Sequence, residues 1–274
     1  MKIIAVANNK GGVAKTTTAA TLGYGLWKKM HDNGDDGRVL FIDLDPQGNL
    51  SDQFGVRDLA GERCVGDLLL GNKSFKQTVV PLDRSNDNIF RPNLFLLPAS
   101  PMLESSTQEL SMRTMIPKYR DAGMKLETIL RDTLSSVMSY FSLVIIDCPP
   151  KLDVLKPAVY NFATDVVVPI KADSLSLRGA QQHTADMARM KQSNRALYQA
   201  NLSAVVPTMV PARQVLASQV EATIRRVYGR LVSASIPESV FVKESPASSG
   251  RTLFEYAPDS APAAAYWELV ERFA

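Results

Sequence analysis

The chain has 274 residues, 45% hydrophobic and 22% charged, and its 31 Lys+Arg against 28 Asp+Glu leave a net charge of +3. That is an ordinary globular composition, and it excludes a strongly charged or low-complexity chain. Two cysteines, Cys64 and Cys148, are too few for a disulfide framework, and no apolar run approaches the ~20 residues that cross a bilayer.

Residues 2–7 read as a short buried strand, with Lys2 leading into Ile3-Ile4-Ala5-Val6-Ala7 and no signal-peptide pattern before it. A loop, Asn8-Asn9-Lys10-Gly11-Gly12-Val13-Ala14-Lys15-Thr16-Thr17-Thr18, comes next. Residues 16–30 then read as a helix, with Ala19, Ala20, Leu22, Gly23, Leu26 and Trp27 as its apolar stripe. A helix N-terminus offers unpaired N–H groups and a positive dipole end, and paired glycines let backbone wrap an anion. Gly11, Gly12, Val13, Ala14, Lys15, Thr16 and Thr17 are therefore expected to cradle a nucleotide triphosphate. Lys15 is placed for the β- and γ-phosphates and the Thr16 hydroxyl for Mg²⁺. The usual pattern is G-x-x-x-x-G-K-[ST]. Counted back from Lys15, its glycines fall on Asn9 and Ala14, and a second lysine, Lys10, precedes Gly11-Gly12.

Residues 31–37 form a polar loop, and His31 and His183 read as surface or helix-end histidines. Val39-Leu40-Phe41-Ile42 is a second strand, ending in Asp43-Leu44-Asp45-Pro46-Gln47-Gly48-Asn49. Ligands of parallel sheets gather at carboxyl strand ends, and two aspartates there need a cation or hydrogen-bonding partners. Residues 65–71 read as a short helix and 93–100 as a third strand running into a loop. The methionines at 102, 112, 115 and 124 are expected in the core, and Lys125 to Tyr140 is read as one helix. Phe141 to Asp147 is a strand closed by an acid, the Walker B pattern in which the carboxylate holds Mg²⁺ through water. Strands at 165–170, 202–210 and 231–235 follow, with helices at 173–190 and 214–228 and a final one within 257–273. Alternating strands and helices without a linker imply one α/β domain over 1–274, a mostly parallel twisted sheet flanked by helices.

K-G-G-x-x-K-T-T resembles the deviant Walker A loop of the ParA/MinD/Soj ATPases. D-x-D-P-Q-G-N and D-x-P-P resemble that family's switch I and Walker B segments, and the resemblance covers most of the chain. It implies a P-loop ATPase fold with ATP and Mg²⁺ as cofactors. It implies that Thr16, Asp43 and Asp147 serve the metal, that Asp45 orients the attacking water, and that Lys15 and Lys10 act on phosphates. Lys10 is expected to act across an ATP-dependent homodimer, on the partner's nucleotide. Ala14 stands where the family has Gly, and its Cβ is expected to tighten the loop. Thr208 and Pro237 are expected beside the nucleotide base. Lys151, after Walker B, reads as a solvent lysine; the resemblance places it near the dimer interface, with an approach to the partner's phosphates as the alternative.

The family divides by what the ATP-bound dimer adheres to. From Arg178 to Arg251 there are ten Lys+Arg against four Asp+Glu, a basic third suited to a phosphate backbone. Arg213 stands where the resemblance places a DNA-contacting arginine, and Lys243 follows two residues after Phe241, which occupies the family's second arginine position. With Arg225 and Arg226 of the preceding helix they are expected to form a non-specific DNA surface. A ParB-like or other adaptor is expected to stimulate hydrolysis. With the loop at residue 8, no N-terminal helix-turn-helix is expected. A MinD-like membrane helix is the alternative, disfavoured by Glu268 and Glu271 against one Arg272 in the tail. An iron–sulfur reductase or an amide-forming ligase on the same fold are others, and Cys64 and Cys148 do not fit cluster spacing. The expected location is the cytoplasm, on the nucleoid, with plasmid, chromosome or protein microcompartment as cargo.

Overall fold

In the computed structural model, residues 1–56, 61–83, 89–151, 153–244 and 250–274 are described, residues 153, 243 and 244 by backbone alone. The strands are β1 (Lys2–Val6), β2 (Val39–Asp43), β3 (Val80–Pro81), β4 (Leu94–Leu97), β5 (Leu143–Asp147), β6 (Asp165–Lys171) and β7 (Asn201–Thr208). They form one sheet in the order β3-β4-β2-β5-β1-β6-β7. Every neighbouring pair is parallel except β3 with β4. Helices α1 (Lys15–Asp32), α2 (Asn49–Gln53), α3 (Met102–Met115), α4 (Lys156–Phe162), α5 (Ser174–Ser193), α6 (Val215–Tyr228) and α7 (Ala261–Phe273) join shorter turns around it.

A parallel sheet covered on both faces has strands that are apolar on both sides, and β1 follows that rule. Ile3 and Ala5 enter one core with residues of α3, α4, α5 and α6, while Ile4 and Val6 enter the other with α1 and α7. Helix α1 lies very close to the sheet at Gly23. A Cβ there would come within 2.4 Å of the Phe41 ring and 2.8 Å of Ile145. Helix α7 is tied to α1 by a buried contact of 2.9 Å between the Tyr266 and Thr18 hydroxyls.

Four expectations are corrected. Residues 125–140 are not one helix but a 3-10 turn, a helix over Ile129–Leu134 and a second 3-10 turn. The Ser135 hydroxyl donates back to the Asp132 carbonyl, the local competition by which serine ends helices. Residues 231–235 are not a strand. Val232 makes a single bridge to Val205, and the small Ser233-Ala234-Ser235 offers little apolar surface to extend it. Met102, Met112 and Met115 are exposed rather than core, because α3 buries only Leu103, Ser106 and Leu110. His183 is fully buried, whereas His31 ends α1 stacked on Trp27.

Candidate nucleotide site

The sheet brings the predicted acids together by register. Asp43 and Asp147 end adjacent strands β2 and β5 as direct partners, and Val6 of β1 is the next partner of Asp147. Neighbouring strands lie ~4.8 Å apart, so two fully buried carboxylates stand side by side at the mouth of the β1–α1 loop. They differ in how they are held. Asp43 accepts from the Ser51 N–H at 3.0 Å, the Ser51 hydroxyl at 2.8 Å and the Asp45 N–H at 3.1 Å. The Ala99 N–H completes the bracket by donating to Ser51 Oγ at 3.2 Å. No hydrogen bond of full geometry reaches either oxygen of Asp147, and the Thr16 hydroxyl is the donor near enough to act on it. Burial pushes the Asp43 carboxyl up to about 7 against the pull of Ser51. Burial and then the neighbouring Asp43 push Asp147 well above the usual carboxylate range, opposed by the Thr16 hydroxyl and Lys15.

A buried carboxylate with no hydrogen bond of full geometry, beside a second carboxylate and a threonine hydroxyl, fits a divalent cation. No group of three His, Cys, Asp or Glu suited to a metal occurs among the described residues. Mg²⁺ needs none, since it is held by one or two carboxylates with water and phosphate oxygens filling its shell. Asp147, Asp43 and Thr16 are the residues that would hold it.

The loop above these acids has two differently placed lysines. Lys15 is buried and its Nζ donates to the Lys10 carbonyl at 2.9 Å, closing the loop on itself. Burial lowers its pKa, while Asp147 and Asp45 oppose the loss of charge. The Lys10 side chain is exposed, with no hydrogen bond or ion pair among the described residues. Its own N–H donates to Asn8 Oδ1 at 3.1 Å, and Asn8 Nδ2 donates to the Pro169 carbonyl at 2.7 Å. Gly12 is left-handed at φ 68°. Ala14 is left-handed too, at φ 62° and ψ 35°, a conformation that disfavours any Cβ by ~1–2 kcal/mol. Helix α1 begins there with no side-chain cap and no acid in its first turn, leaving its first N–H groups for an anion.

Other predicted residues are placed as follows. Thr16 and Thr17 open α1. Asp45 is buried, and its Oδ1 accepts from the Gln47 N–H at 3.0 Å. That turn is possible because Gly48 is left-handed, with the Ala99 carbonyl 2.9 Å from where a Cβ would stand. Thr208 ends β7, and its buried hydroxyl donates to the Val13 carbonyl at 3.1 Å, bracing the loop from the far strand. Pro237 pairs with Val210 just beyond β7. Lys151 is exposed and lines a cavity of about 370 Å³ with Leu44, Pro46, Gln47 and Leu103. Cys148 is buried, and burial raises its thiol.

The predicted DNA residues are less uniform. Arg213 and Arg226 are exposed on and before α6. Arg225 is engaged by Glu221 at 2.9 Å and by Ser235, and the Lys243 side chain lies outside the described residues. Among the described residues no helix is long and apolar enough to cross a membrane.

Ser51, Asn8, Asn9 and His183 were missed as site residues. An Asn-Asn pair before Lys-Gly-Gly is a readable turn signal. Nothing in the sequence pattern singles out Ser51 or His183.

Residues 1–200 match the family model described as an AAA domain. The chain is 36% identical over 270 residues to the chromosome-partitioning ATPase Soj of Thermus thermophilus, spanning 98% of this chain and 93% of that protein. An ATP complex of Cyanothece McdA superposes with a TM-score of 0.80 at 23% identity, over 100% of this chain and 96% of that one, which speaks to the fold. A cobyrinic acid a,c-diamide synthase from Mycobacterium smegmatis, with bound ATP analogue and magnesium, superposes with a TM-score of 0.74 at 30% identity, over 99% and 93%.

Proposed function

The chain belongs to the ParA/Soj family of ATPases within the AAA-domain class, and on that premise we propose that it is a Mg²⁺- and ATP-dependent dimer switch that positions a cargo on DNA. The observation that carries the proposal is the contrast between the two loop lysines. Lys15 is buried over Asp147, while Lys10 is exposed and unpaired beside it. A lysine that serves its own nucleotide has the place Lys15 has. A lysine that serves another subunit's nucleotide must stay outside, as Lys10 does.

In this reading ATP binds with its phosphates on the loop, and Lys15 exchanges the Lys10 carbonyl for phosphate oxygens. Thr16, Asp147 and Asp43 would hold Mg²⁺, which would supply neutralisation of the charge developing on the phosphates. Asp45 leaves its bond to the Gln47 N–H to orient water for in-line attack, since positioning is most of what a side chain contributes to phosphoryl transfer. Two subunits close face to face with Lys10 of each on the nucleotide of the other. Arg213 and Arg226, with Arg225 in part, hold non-specific DNA. An adaptor stimulates hydrolysis, and the pair separates, the usual consequence of losing a γ-phosphate. The working location is the cytoplasm, on the nucleoid, with no membrane contact.

The test uses Asp45→Ala with Mg·ATP. Light scattering should double the 30.0 kDa mass, and only that species should bind DNA of arbitrary sequence, with log affinity falling linearly as log salt rises. A monomer under saturating ATP, or equal DNA affinity with and without ATP, would overturn the proposal.

A further inference from the structure

Helix α5 runs directly under the start of the phosphate loop. A Cβ at Gly179 would be in ordinary contact with Lys10, 3.6 Å from its Cβ, and 3.9 Å from Asn8 Oδ1. One turn further along lies His183, fully buried. Its Nδ1 is 3.0 Å from Asn9 Oδ1, and its Nε2 is 2.9 Å from the Tyr160 hydroxyl on α4. Asn9 is the residue immediately before Lys10 and stands at the first glycine position of the usual phosphate loop.

The hydrogen bonding fixes the proton. Asn9 Oδ1 only accepts, so Nδ1–H donates to it; a neutral imidazole then accepts at Nε2, and the Tyr160 hydroxyl donates there. Burial, reinforced by Lys156 and opposed by Asp186, holds the imidazole neutral with its pKa near 4. Lys156 and Asp186 pair with each other at 3.3 Å beside it. Both ring nitrogens and the asparagine oxygen are thereby satisfied in one arrangement, which pins the loop to two core helices. Asn8 adds a separate tie to β6 through the Pro169 carbonyl.

We propose that His183 is a positioning residue for Lys10: through Asn9, the Tyr160–His183–Asn9 chain holds the loop so that Lys10 is presented to the partner subunit's nucleotide. This rests on the reading of Lys10 as trans-acting. A misplacement of about 1 Å in a catalytic group is enough for a hundredfold loss, so a loop freed from His183 loses function without losing its own phosphate site.

The experiment is subunit mixing, with ATP hydrolysis measured at saturating ATP and DNA. His183→Leu removes both bonds. His183→Gln can donate to Asn9 and accept from Tyr160, and should restore function. Asn9→Ala breaks the same link from the partly exposed side, so it tests the idea even where His183→Leu fails to fold. The expected loss for His183→Leu and Asn9→Ala alone is at least tenfold. Mixed with Asp45→Ala, which supplies an intact Lys10, either variant should recover activity; mixed with Lys10→Ala, neither should. Failure of the Asp45→Ala mixture to restore His183→Leu and Asn9→Ala, while the same mixture restores Lys10→Ala, would overturn the role of His183 and leave the Lys10 reading standing. Failure to restore Lys10→Ala as well would overturn both.

Discussion

Replacing Asp147 with asparagine separates the electrostatics of the acidic strand ends from their packing, because the substitution changes charge with almost no change in volume. Asp43 carries a folded value of about 7 against an ordinary 3.8. A raised folded value means that the native state holds the proton more tightly than the unfolded chain. Stability from this group is therefore complete below pH ~4 and is lost as pH rises toward and through 7. Each pKa unit is 1.36 kcal/mol, so a rise of about three units makes the ionised form cost about 4 kcal/mol in the ligand-free protein. Asp147 is raised in the same direction by burial and by Asp43, and as register partners the two share one repulsion rather than each adding its own. Asp147→Asn removes the buried carboxyl and with it that repulsion, leaving an amide beside the Thr16 hydroxyl. The ligand-free variant should be about 1–3 kcal/mol more stable than the parent at pH 8, and indistinguishable from it at pH 5. Mg·ATP should reverse the order at pH 8, stabilising the parent and leaving the variant nearly unmoved, since a bound ligand contributes RT ln(1 + [L]/Kd). Urea unfolding at the two pH values, with and without Mg·ATP, reads all four states. A ligand-free variant that is less stable than the parent at pH 8 would refute the reasoning, because it would mean that Thr16 and Lys15 outweigh burial and the repulsion of Asp43 in the empty site.

Ala14→Gly should relieve the left-handed strain of ~1–2 kcal/mol, offset by ~0.5–1 kcal/mol of added chain entropy. A small net gain in denaturation midpoint with tighter ATP binding by calorimetry is expected, and a clear loss of stability would show that the Ala14 methyl is held by packing. Gly23→Ala should cost about 1–3 kcal/mol through overpacking against Phe41 and Ile145. A thermal midpoint unchanged within error would show that α1 can lift off the sheet freely.

Most of the architecture was legible because each element carries its own signal. β1, β2 and β5 are apolar runs closed by a turn or an acid, and their acids had to meet at one edge once the strands were parallel. Strand order needed the structure, and so did the fact that Asp43 and Asp147 are direct partners. The bracket of Ser51 and Ala99 around Asp43 depends on how α2 folds back after Gly48, which no periodicity encodes. His183 reads in the sequence as a surface or helix-end histidine; only the seating of α5 beneath Asn9 makes it a core residue. The methionines of α3 were misjudged because an apolar residue type says nothing about which face a short helical stripe buries. Thr208, expected beside the nucleotide base, has its hydroxyl on the loop carbonyl of Val13.

The central claim is that each site is completed by Lys10 of another subunit, and one mixing experiment reaches it. Lys10→Ala subunits keep Lys15, Asp45 and Asp147 but donate nothing; Asp45→Ala subunits donate Lys10 but cannot orient water. Each alone should hydrolyse ATP at background. Mixed in equal amounts, the pair should recover about a quarter of parental activity, because random pairing makes about half of the dimers mixed and each mixed dimer holds one competent site. A mixture that stays at background while still forming dimers in ATP would place Lys10 on its own subunit's nucleotide and contradict the account.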